Sequence, residues 1–275
     1  MSAEPAALEI DDGAWAARQA RAHELRERHP FAAELLTLYL ALVAVQEEAW
    51  SAFRESPPAP AQLPGWAAAR VLPAVVDATA TAGPSALSEA AQRRLAAGSV
   101  EGALAGWLAC AEMDPVDRYL ARASLAPALE ALGERAGEAC VVQAAGSSVC
   151  PRCGGPPQVS CVTATGESLV SGGRSLLCAR CGSSWSSARS TCPACGESGE
   201  GRMTTYAERW GSDAPPLLPH LSIAACESCR RYLIEVDLER DPRAVPEVDE
   251  LTALPLDLHA ADRGLTKVTP NLMGF

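Results

Sequence analysis

The sequence predicts a multidomain α+β protein in which an all-α helical bundle precedes two small metal-binding units. Three observations lead to this prediction. Residues 14–146 are rich in Ala and Leu, and their apolar positions recur every three or four residues. Four Cys-x-x-Cys pairs follow in the middle of the chain. Near Ser147, Gly, Ser, Pro and Cys replace Ala and Leu, which indicates a domain boundary.

Composition and charge exclude several classes of protein. The 275 residues are 48% hydrophobic, which is typical of a globular chain of about two domains. A net charge of -11 with a single lysine, Lys267, argues against nucleic-acid binding, because phosphates attract clusters of Lys and Arg. Residues 1–13 lack the cationic and apolar stretches of a signal peptide. The apolar window at residues 35–45 is about half the length that crosses a bilayer, so we expect a cytoplasmic protein.

The N-terminal half is predicted to hold five or six helices. A long helix begins after Pro30, which tolerates the first helical turn, and one apolar stripe predicts its buried face. That stripe consists of Phe31, Leu35, Leu38, Leu42 and Val45. Further helices are predicted over residues 66–81, 85–97, 100–113 and 115–139. Ser85 is the expected N-cap of one helix, and Asp114-Pro115 is the expected start of another. Trp50, Trp66 and Trp107 are interpreted as core residues.

Each Cys-x-x-Cys pair can supply half of a tetrahedral metal site. The pairs are Cys150/Cys153, Cys178/Cys181, Cys192/Cys195 and Cys226/Cys229. A two-residue spacer lets one tight turn direct two thiolates at the same ion. Glycine, whose freedom at positive φ folds the backbone toward the sulfurs, follows three of the pairs, whereas Arg230 follows the fourth. Disulfides and a thioredoxin-type redox pair also use this motif, but neither suits four repeats in a cytoplasmic protein.

Pairing in chain order is the favoured arrangement of the eight thiols. It joins the first two pairs across 24 residues and the last two across 30, and both separations suit a zinc ribbon or a rubredoxin-like unit. An interleaved arrangement would require long loop closures without a packing gain. The full prediction is therefore a helical domain, residues 1–146, followed by two tandem rubredoxin-like or zinc-ribbon metal units, each with four cysteine ligands, at residues 147–189 and 190–236.

Short strands are expected to position these knuckles. They are predicted over residues 158–164, 168–177, 203–210, 221–225 and 232–236, with turns at Thr165-Gly166 and Gly172-Gly173. Residues 237–275 are interpreted as an acidic, solvated loop that leads to a helix through Leu251, Leu254 and Leu258. Three further cysteines are expected to act as small buried hydrophobes: Cys110, Cys140 and Cys161.

These motifs together resemble the formate dehydrogenase accessory protein family, FdhE. The matching motifs are Cys150-Pro151-x-Cys153-Gly154-x-Pro156-Pro157, Gly172-x-Arg174-x-Leu176-x-Cys178-x-x-Cys181, Trp185-x-x-x-Arg189-x-x-Cys192-x-x-Cys195 and Cys226-x-x-Cys229-x-x-Tyr232-Leu233. The resemblance implies a cytoplasmic, non-catalytic maturation factor that contacts the catalytic subunit of a molybdenum- or tungsten-dependent formate dehydrogenase, or a related molybdoenzyme. It also implies two metal ions in four-cysteine sites and favours iron, with zinc as the alternative.

Two functional hypotheses remain open from the residues themselves. In the first, the protein is an assembly chaperone, and the arginines near the knuckles contact its partner. Those arginines are Arg174, Arg189, Arg230 and Arg231. In the second, iron in one or both four-cysteine sites makes it a rubredoxin-like redox protein. An ordinary metalloenzyme is disfavoured, because a closed four-cysteine site leaves no coordination position for substrate, and we predict no catalytic residues. A zinc-ribbon nucleic-acid-binding protein is the least favoured hypothesis.

Overall fold

The computed structural model describes residues 12–141, 148–163, 173–209, 215–272 and 274. The α-helices are α1 (Asp12–Arg28), α2 (Ala33–Glu55), α3 (Leu63–Arg70), α4 (Leu72–Ala82), α5 (Ser85–Ala96), α6 (Val100–Leu108), α7 (Pro115–Leu132), α8 (Pro246–Asp249) and α9 (Leu254–Asp262). The strands are β1 (Pro157–Val162), β2 (Arg174–Cys178), β3 (Ser184–Ser186), β4 (Met203–Tyr206), β5 (Leu221–Cys226), β6 (Arg231–Asp237) and β7 (Thr266–Lys267). The predicted boundary at Ser147, the turn at Thr165-Gly166 and Gly172 lie outside the described residues.

The predicted fold class is confirmed, with a helical N-terminal half and a cysteine-rich sheet. Helix α2 is the centre of the bundle and packs against α1, α4 and α7. Of the predicted apolar stripe, Leu38 and Leu42 are buried, whereas Phe31 is 43% exposed. Phe31 precedes α2 in a separate 3-10 turn, so it does not share the buried face of the helix. Trp50 and Trp107 are buried, as predicted for core residues.

Several predicted helix limits are wrong for local reasons. The single helix expected over residues 66–81 is divided into α3 and α4, because Pro73 lies in the first turn of α4, where it has no N–H to donate to the preceding turn. Ser85 is the first residue of α5 rather than its N-cap, and Pro84 occupies the cap position. Asp114 does cap α7, since its Oδ1 accepts a hydrogen bond of 2.9 Å from the N–H of Val116. The described helical half holds seven helices instead of five or six.

One helical segment among the described residues is long and apolar enough to cross a membrane. It spans Pro30–Glu55, has a mean hydropathy of 1.3 and is 39% buried over that window. This segment is longer than the window at residues 35–45 on which the sequence argument rested. It contains α2, and its packing against three other helices accounts for its apolar composition.

The two cysteine-rich units share one continuous sheet. The strand order is β3-β2-β1-β6-β5-β4, and β7 also pairs with β6. Neighbouring strands are antiparallel except at two junctions, where β1 and β7 run parallel to β6. The β1–β6 junction places Ser160 beside Glu235 and thereby joins the first unit to the second. Because this backbone ladder links the units, they form a single sheet rather than two separate ribbons.

In the C-terminal segment, the charged loop at residues 238–246 holds only exposed and half-buried residues, as expected, but two acidic residues that follow it are buried. Asp249 and Glu250 are no more than 1% exposed. Arg21 of α1 donates from Nε to Asp249 Oδ2 at 3.0 Å, and Lys267 lies 2.8 Å from Glu250. Burial opposes ionisation of Asp249, but hydrogen bonds from His220 and Arg21 outweigh it and hold the pKa of Asp249 below its usual range. This segment therefore connects the helical half to the sheet through buried ion pairs.

Candidate metal centres

The structure gathers the eight thiols of the knuckles into two clusters. The first centre is formed by Cys150, Cys153, Cys178 and Cys181, and the second centre by Cys192, Cys195, Cys226 and Cys229. Within each cluster the ligand atoms lie within 4.8 Å of one another. The prediction that the pairs combine in chain order is confirmed.

The sulfur–sulfur distances match a tetrahedral metal site. In the first centre, the Sγ atoms of Cys150 and Cys181 are 3.8 Å apart, and those of Cys153 and Cys178 are 3.4 Å apart. In the second centre, Cys192 and Cys229 are separated by 3.7 Å, and Cys195 and Cys226 by 3.9 Å. Metal–sulfur bonds of about 2.3 Å at tetrahedral angles require sulfurs about 3.8 Å apart. The second donor set therefore has the spacing of a zinc or iron site, and the first reaches it when Cys153 and Cys178 separate by a few tenths of an ångström.

Each knuckle is held by the same local turn. The N–H of Gly154 donates to the carbonyl of Cys150 at 2.9 Å, and the N–H of Gly196 donates to that of Cys192 at 3.0 Å. The predicted positive φ is found at +69° for Gly154 and +76° for Gly196. The fourth knuckle keeps this geometry without glycine, since Arg230 has a φ of +58°. A left-handed conformation costs a non-glycine residue about 1–2 kcal/mol, so the fourth knuckle is the strained one.

The first centre is built into the core of the helical bundle. Its four cysteines are no more than 3% exposed, and they belong to the same apolar cluster as Leu104 and Trp107 of α6. Gly155 lies directly against the sulfurs: a Cβ at this position would be 2.8 Å from Sγ of Cys178 and 3.2 Å from Sγ of Cys153. Only glycine fits this close approach of backbone to sulfur.

Two polar side chains that the sequence motifs did not predict lie beside the first centre. Arg180, between the cysteines of the second knuckle, is 2% exposed and donates to the carbonyl of Cys153 at 3.0 Å and to Sγ of Cys110 at 2.9 Å. Its guanidinium also lies 5.5 Å from the ring centroid of Trp107. The hydroxyl of Ser183 is 3.1 Å from Sγ of Cys150. Nothing in the local sequence separates Arg180 from a surface arginine, because its burial depends on the distant helix α6.

The second centre is open to solvent on one side. Cys192 and Cys226 are buried, whereas Cys229 is half-buried and Cys195 is exposed. Backbone N–H groups support three of the sulfurs: that of Ala194 donates to Cys192 at 3.3 Å, and others donate to Cys226 and Cys229. The two centres therefore share ligand chemistry and differ in burial.

Burial also affects the protonation of the thiols. It raises the pKa of the Cys178 thiol well above its usual value, and hydrogen bonding to Cys140 raises the pKa of Cys153 to about 12. Hydrogen bonding to Cys153 has the opposite effect on Cys150 and holds its pKa below the usual value. Thiolates are the metal-binding form, so a metal ion entering the first centre must displace the protons that Cys153 and Cys178 retain. Metal binding there is consequently coupled to folding and to pH.

The arginines proposed as partner contacts have different environments. Arg174 is 5% exposed, donates from Nε to Ser160 Oγ at 3.0 Å and reaches the carbonyl of Thr191 at 3.1 Å. It therefore fastens the chain between the two centres and is not displayed to a partner, which corrects the expectation. Arg189, Arg230 and Arg231 are exposed. Of the lone cysteines, Cys161 is buried as predicted, but Cys110 is exposed and Cys140 is half-buried.

A third cluster of potential ligands has a structural explanation. His220, Asp241 and Asp249 bring their ligand atoms together. Arg21 occupies the same space, with Nη2 at 2.7 Å from Asp241 Oδ2 and Nε hydrogen-bonded to Asp249. The guanidinium already supplies the positive charge that a cation would bring. We therefore interpret this group as an ion-pair network.

Comparisons with known proteins find similarity to proteins described as FdhE. Residues 191–273 match the family model described as "FdhE, C-terminal domain". The chain is 31% identical over 126 residues to the "Protein FdhE homolog" of Aquifex aeolicus, covering 46% of this chain and 41% of that protein. It is 32% identical over 136 residues to the homolog of Pseudomonas aeruginosa, covering 50% and 42%. The alignments thus span about two fifths of the length of these relatives.

The fold extends the similarity beyond the aligned segments. The crystal structure of the FdhE protein from Pseudomonas aeruginosa superposes with a TM-score of 0.70, covers 98% of both chains and is 24% identical in sequence. At 24% identity, this match supports similarity of fold alone. The family model independently supports similarity to FdhE over residues 191–273. These findings confirm the resemblance to the FdhE family: residues 191–273 match its C-terminal domain model, and the fold is similar to that of the FdhE protein from Pseudomonas aeruginosa.

Proposed function

We propose that this chain is a cytoplasmic, non-catalytic accessory protein that binds the catalytic subunit of a molybdenum- or tungsten-dependent formate dehydrogenase and is needed for its assembly or activation. A related molybdoenzyme is the alternative client. The observation that carries the proposal is the match of residues 191–273 to the FdhE C-terminal domain model, together with a fold similar to that of an FdhE protein. The complete four-cysteine donor sets support a binding role, since a tetrahedral site with four protein ligands leaves no position for substrate.

We propose that each four-cysteine centre holds one metal ion through its four thiolates. Iron is favoured by the family resemblance, and zinc is the alternative, because thiolate sites accept both. Elemental analysis and a visible spectrum of protein purified without oxygen would distinguish them. Two irons with thiolate charge-transfer bands would support iron, whereas two zincs and no colour would contradict it.

The surface near the knuckles is the proposed contact for the client. Arg189, Arg230 and Arg231 are exposed and can form bidentate contacts with carboxylates. We retain the division into residues 1–146, 147–189, 190–236 and 237–275 as a proposal for the functional units, while the sheet passes through the second and third of them.

A complementation experiment tests the accessory role. In cells that lack their own accessory protein, this chain should restore formate dehydrogenase activity and co-purify with the catalytic subunit. Cys226→Ser should fail to restore it, because this substitution removes a ligand of the second centre. Cys110→Ser is the matched control, since Cys110 belongs to neither cluster and a serine hydroxyl can still accept the hydrogen bond from Arg180. Full activity without the chain, or with Cys226→Ser, would contradict the proposal.

Single substitutions of the exposed arginines test the contact surface. Arg230→Ala and Arg231→Ala should each reduce capture of the catalytic subunit, because they remove charged donors from the surface. Arg93→Ala is a suitable control on the helical half, since Arg93 is exposed and pairs only loosely with Glu89 at 3.6 Å. Equal capture by all three variants would exclude this surface.

A rubredoxin-like electron carrier is the second candidate function. Its support is the exposure of Cys195, because electron transfer is faster from a cluster near the surface. Reversible bleaching of the visible spectrum on reduction would favour this role. A colourless protein that still restores formate dehydrogenase activity would exclude it.

A further inference from the structure

We propose that the second centre is a metal-exchange site at which an incoming thiol-class ligand displaces Cys195, while the first centre keeps its metal permanently. This inference rests on the proposed function, since it requires a metal ion in both centres. It assigns different roles to two sites that the sequence motifs present as equivalent.

Exposure is the first observation behind the proposal. All four cysteines of the first centre are no more than 3% exposed, and they lie in the core of the helical bundle. An external ligand could reach them only if the helices and the sheet separated. Cys195 of the second centre is exposed, and Cys229 is half-buried. A ligand can therefore approach this metal from solvent without unfolding the chain.

The difference in exposure within the second centre indicates which sulfur is displaced. Backbone N–H groups donate to Cys192, Cys226 and Cys229, and such bonds stabilise the coordinated thiolates and fix their direction. Cys192 and Cys226 are also buried, with no more than 1% of each residue exposed. Cys195 lies on the outer side of the same centre, in the solvent-exposed end of its knuckle with Gly196. It is the ligand best placed to leave.

The exchange step is a ligand substitution without electron transfer. An incoming thiolate would take the coordination position of Cys195, and the bond from the bound metal to Cys195 would break as the new metal–sulfur bond forms. The proton released when the incoming thiol ionises would be taken up by the freed Cys195 thiolate. Charge and metal oxidation state would be unchanged. Complete release would require the same substitution at Cys229 and then at both remaining cysteines, Cys192 and Cys226.

The first centre has additional protection against this reaction. Ser183 contacts two of its sulfurs, at 3.1 Å from Cys150 and 3.0 Å from Cys181. Arg180 closes the side facing α6, where it bonds to the Cys153 carbonyl. At the second centre, a buried arginine covers only the side of Cys192, where Arg174 reaches the carbonyl of Thr191, and Cys195 is left exposed. The contrast predicts two well-separated release rates.

Metal release from the full chain tests the proposal. The protein, carrying Cys110→Ser to remove an exposed free thiol, is loaded with two zinc ions and mixed with reduced glutathione and an excess of a metallochromic zinc indicator. One equivalent should be released at least about tenfold faster than the other. In parallel, iodoacetamide labelling followed by peptide mass spectrometry should modify Cys195 first. Release of both ions in one phase would overturn the proposal.

Two ligand variants locate the fast phase. Cys195→Ser should retain one zinc by native mass spectrometry and lose the fast phase while its helical content stays unchanged. Cys153→Ser, at the same position of the first knuckle, should lose the slow phase. If Cys153→Ser does not fold, the order in which iodoacetamide labels Cys195 and Cys153 in the parent protein still tests which centre exchanges its metal. A fast phase that persists in Cys195→Ser, or labelling of Cys153 as fast as Cys195, would overturn the proposal.

The outcomes also separate this inference from the proposed function. If the chain restores formate dehydrogenase activity but both zinc ions leave together, the exchange role fails and the accessory role stands. If one zinc leaves rapidly but the chain neither restores activity nor captures the catalytic subunit, the accessory role fails and the exchange property stands.

Discussion

The two four-cysteine centres have the same ligands and the same turn geometry, yet they are embedded differently. The first centre is surrounded by the helices of the bundle, and its sulfurs belong to the same apolar cluster as the bundle core. The second centre lies at the far side of the shared sheet with an exposed ligand. The difference shows that a local metal motif acquires its energetic role from the surface that covers it.

The surroundings of each centre determine how much of the protein loses stability when its metal is removed. Removal of the first metal leaves four buried thiols in the core on which the helices pack, so the helical half should lose stability as well. Removal of the second metal affects mainly the end of the sheet, because β1 and β6 still join the two units. Substitutions at and around the two centres test this difference.

Loss of a ligand should have the largest effect and should separate the centres most clearly. Cys178→Ser should prevent metal binding at the first centre. A structural metal site contributes about 10 kcal/mol to folding, so the loss of much of this free energy should unfold the bundle at ambient temperature. Cys226→Ser should release one metal and leave the helical signal in circular dichroism almost intact. Thermal melts followed by this signal, together with metal analysis, would measure both. Equal loss of helical signal in the two variants would refute the comparison.

Gly155 tests the close packing of backbone against sulfur in the first centre. Gly155→Ala places a Cβ 2.8 Å from Sγ of Cys178 and 2.9 Å from Cβ of Arg180. We expect a destabilisation of about 1–3 kcal/mol and weaker binding of the first metal, as for other overpacked cores.

The second centre supplies the control, because the equivalent knuckle position already holds Glu197, whose carbonyl accepts the matching hydrogen bond from Cys192 at 2.7 Å. Glu197→Ala should destabilise the protein less than Gly155→Ala does, because it removes only exposed hydrogen bonds from Gly199 and Ser228 and creates no steric clash. Denaturant unfolding of both variants provides the comparison, and a neutral Gly155→Ala would contradict the packing argument.

Arg180 tests whether a buried cation links the first centre to the bundle. Arg180→Gln removes the hydrogen bonds to the Cys153 carbonyl and the Cys110 sulfur, and it should destabilise the protein by about 1.5–3 kcal/mol. Arg152 occupies the same position in the first knuckle and is half-buried. Arg152→Gln should therefore have little effect on the thermal midpoint. Equal shifts for the two substitutions would show that the burial of Arg180 does not matter.

Arg230 concerns only the second centre and should give the smallest effect. Glycine at a φ of +58° avoids the left-handed strain, so Arg230→Gly should be about 1 kcal/mol more stable than Arg230→Ala. Comparing glycine with alanine cancels the loss of the exposed ion pair to Glu227, which is 3.0 Å long in the wild type. Identical denaturation midpoints for the two variants would exclude strain at this knuckle.

Much of the fold was predictable because it depends on local patterns. The 3.6-residue apolar period identified the helical half, although Pro73 divided one predicted helix and Phe31 fell outside its helix. The Cys-x-x-Cys spacing and the following glycines identified the knuckles and their pairing. Strand β3 was missed because three residues are too few for an alternating pattern.

The charged residues were the least predictable. Arg174, Arg180 and Lys267 look like ordinary surface charges in the sequence, yet all three are buried. Each has partners on other elements of the fold, such as Glu250, which forms an ion pair with Lys267, and Ser160, which accepts a hydrogen bond from Arg174. Burial of a charge requires such partners, and their positions follow from tertiary packing.

The ligand sets follow from the amino-acid sequence alone, since two-residue spacers and glycine turns are properties of a few adjacent residues. The helical half and the resemblance to FdhE follow from it as well. Tertiary packing, in contrast, places the sulfurs of the first centre in the bundle core and leaves Cys195 of the second centre exposed. A turn is specified by neighbouring residues, whereas burial depends on segments more than a hundred residues apart, such as α1 and α8.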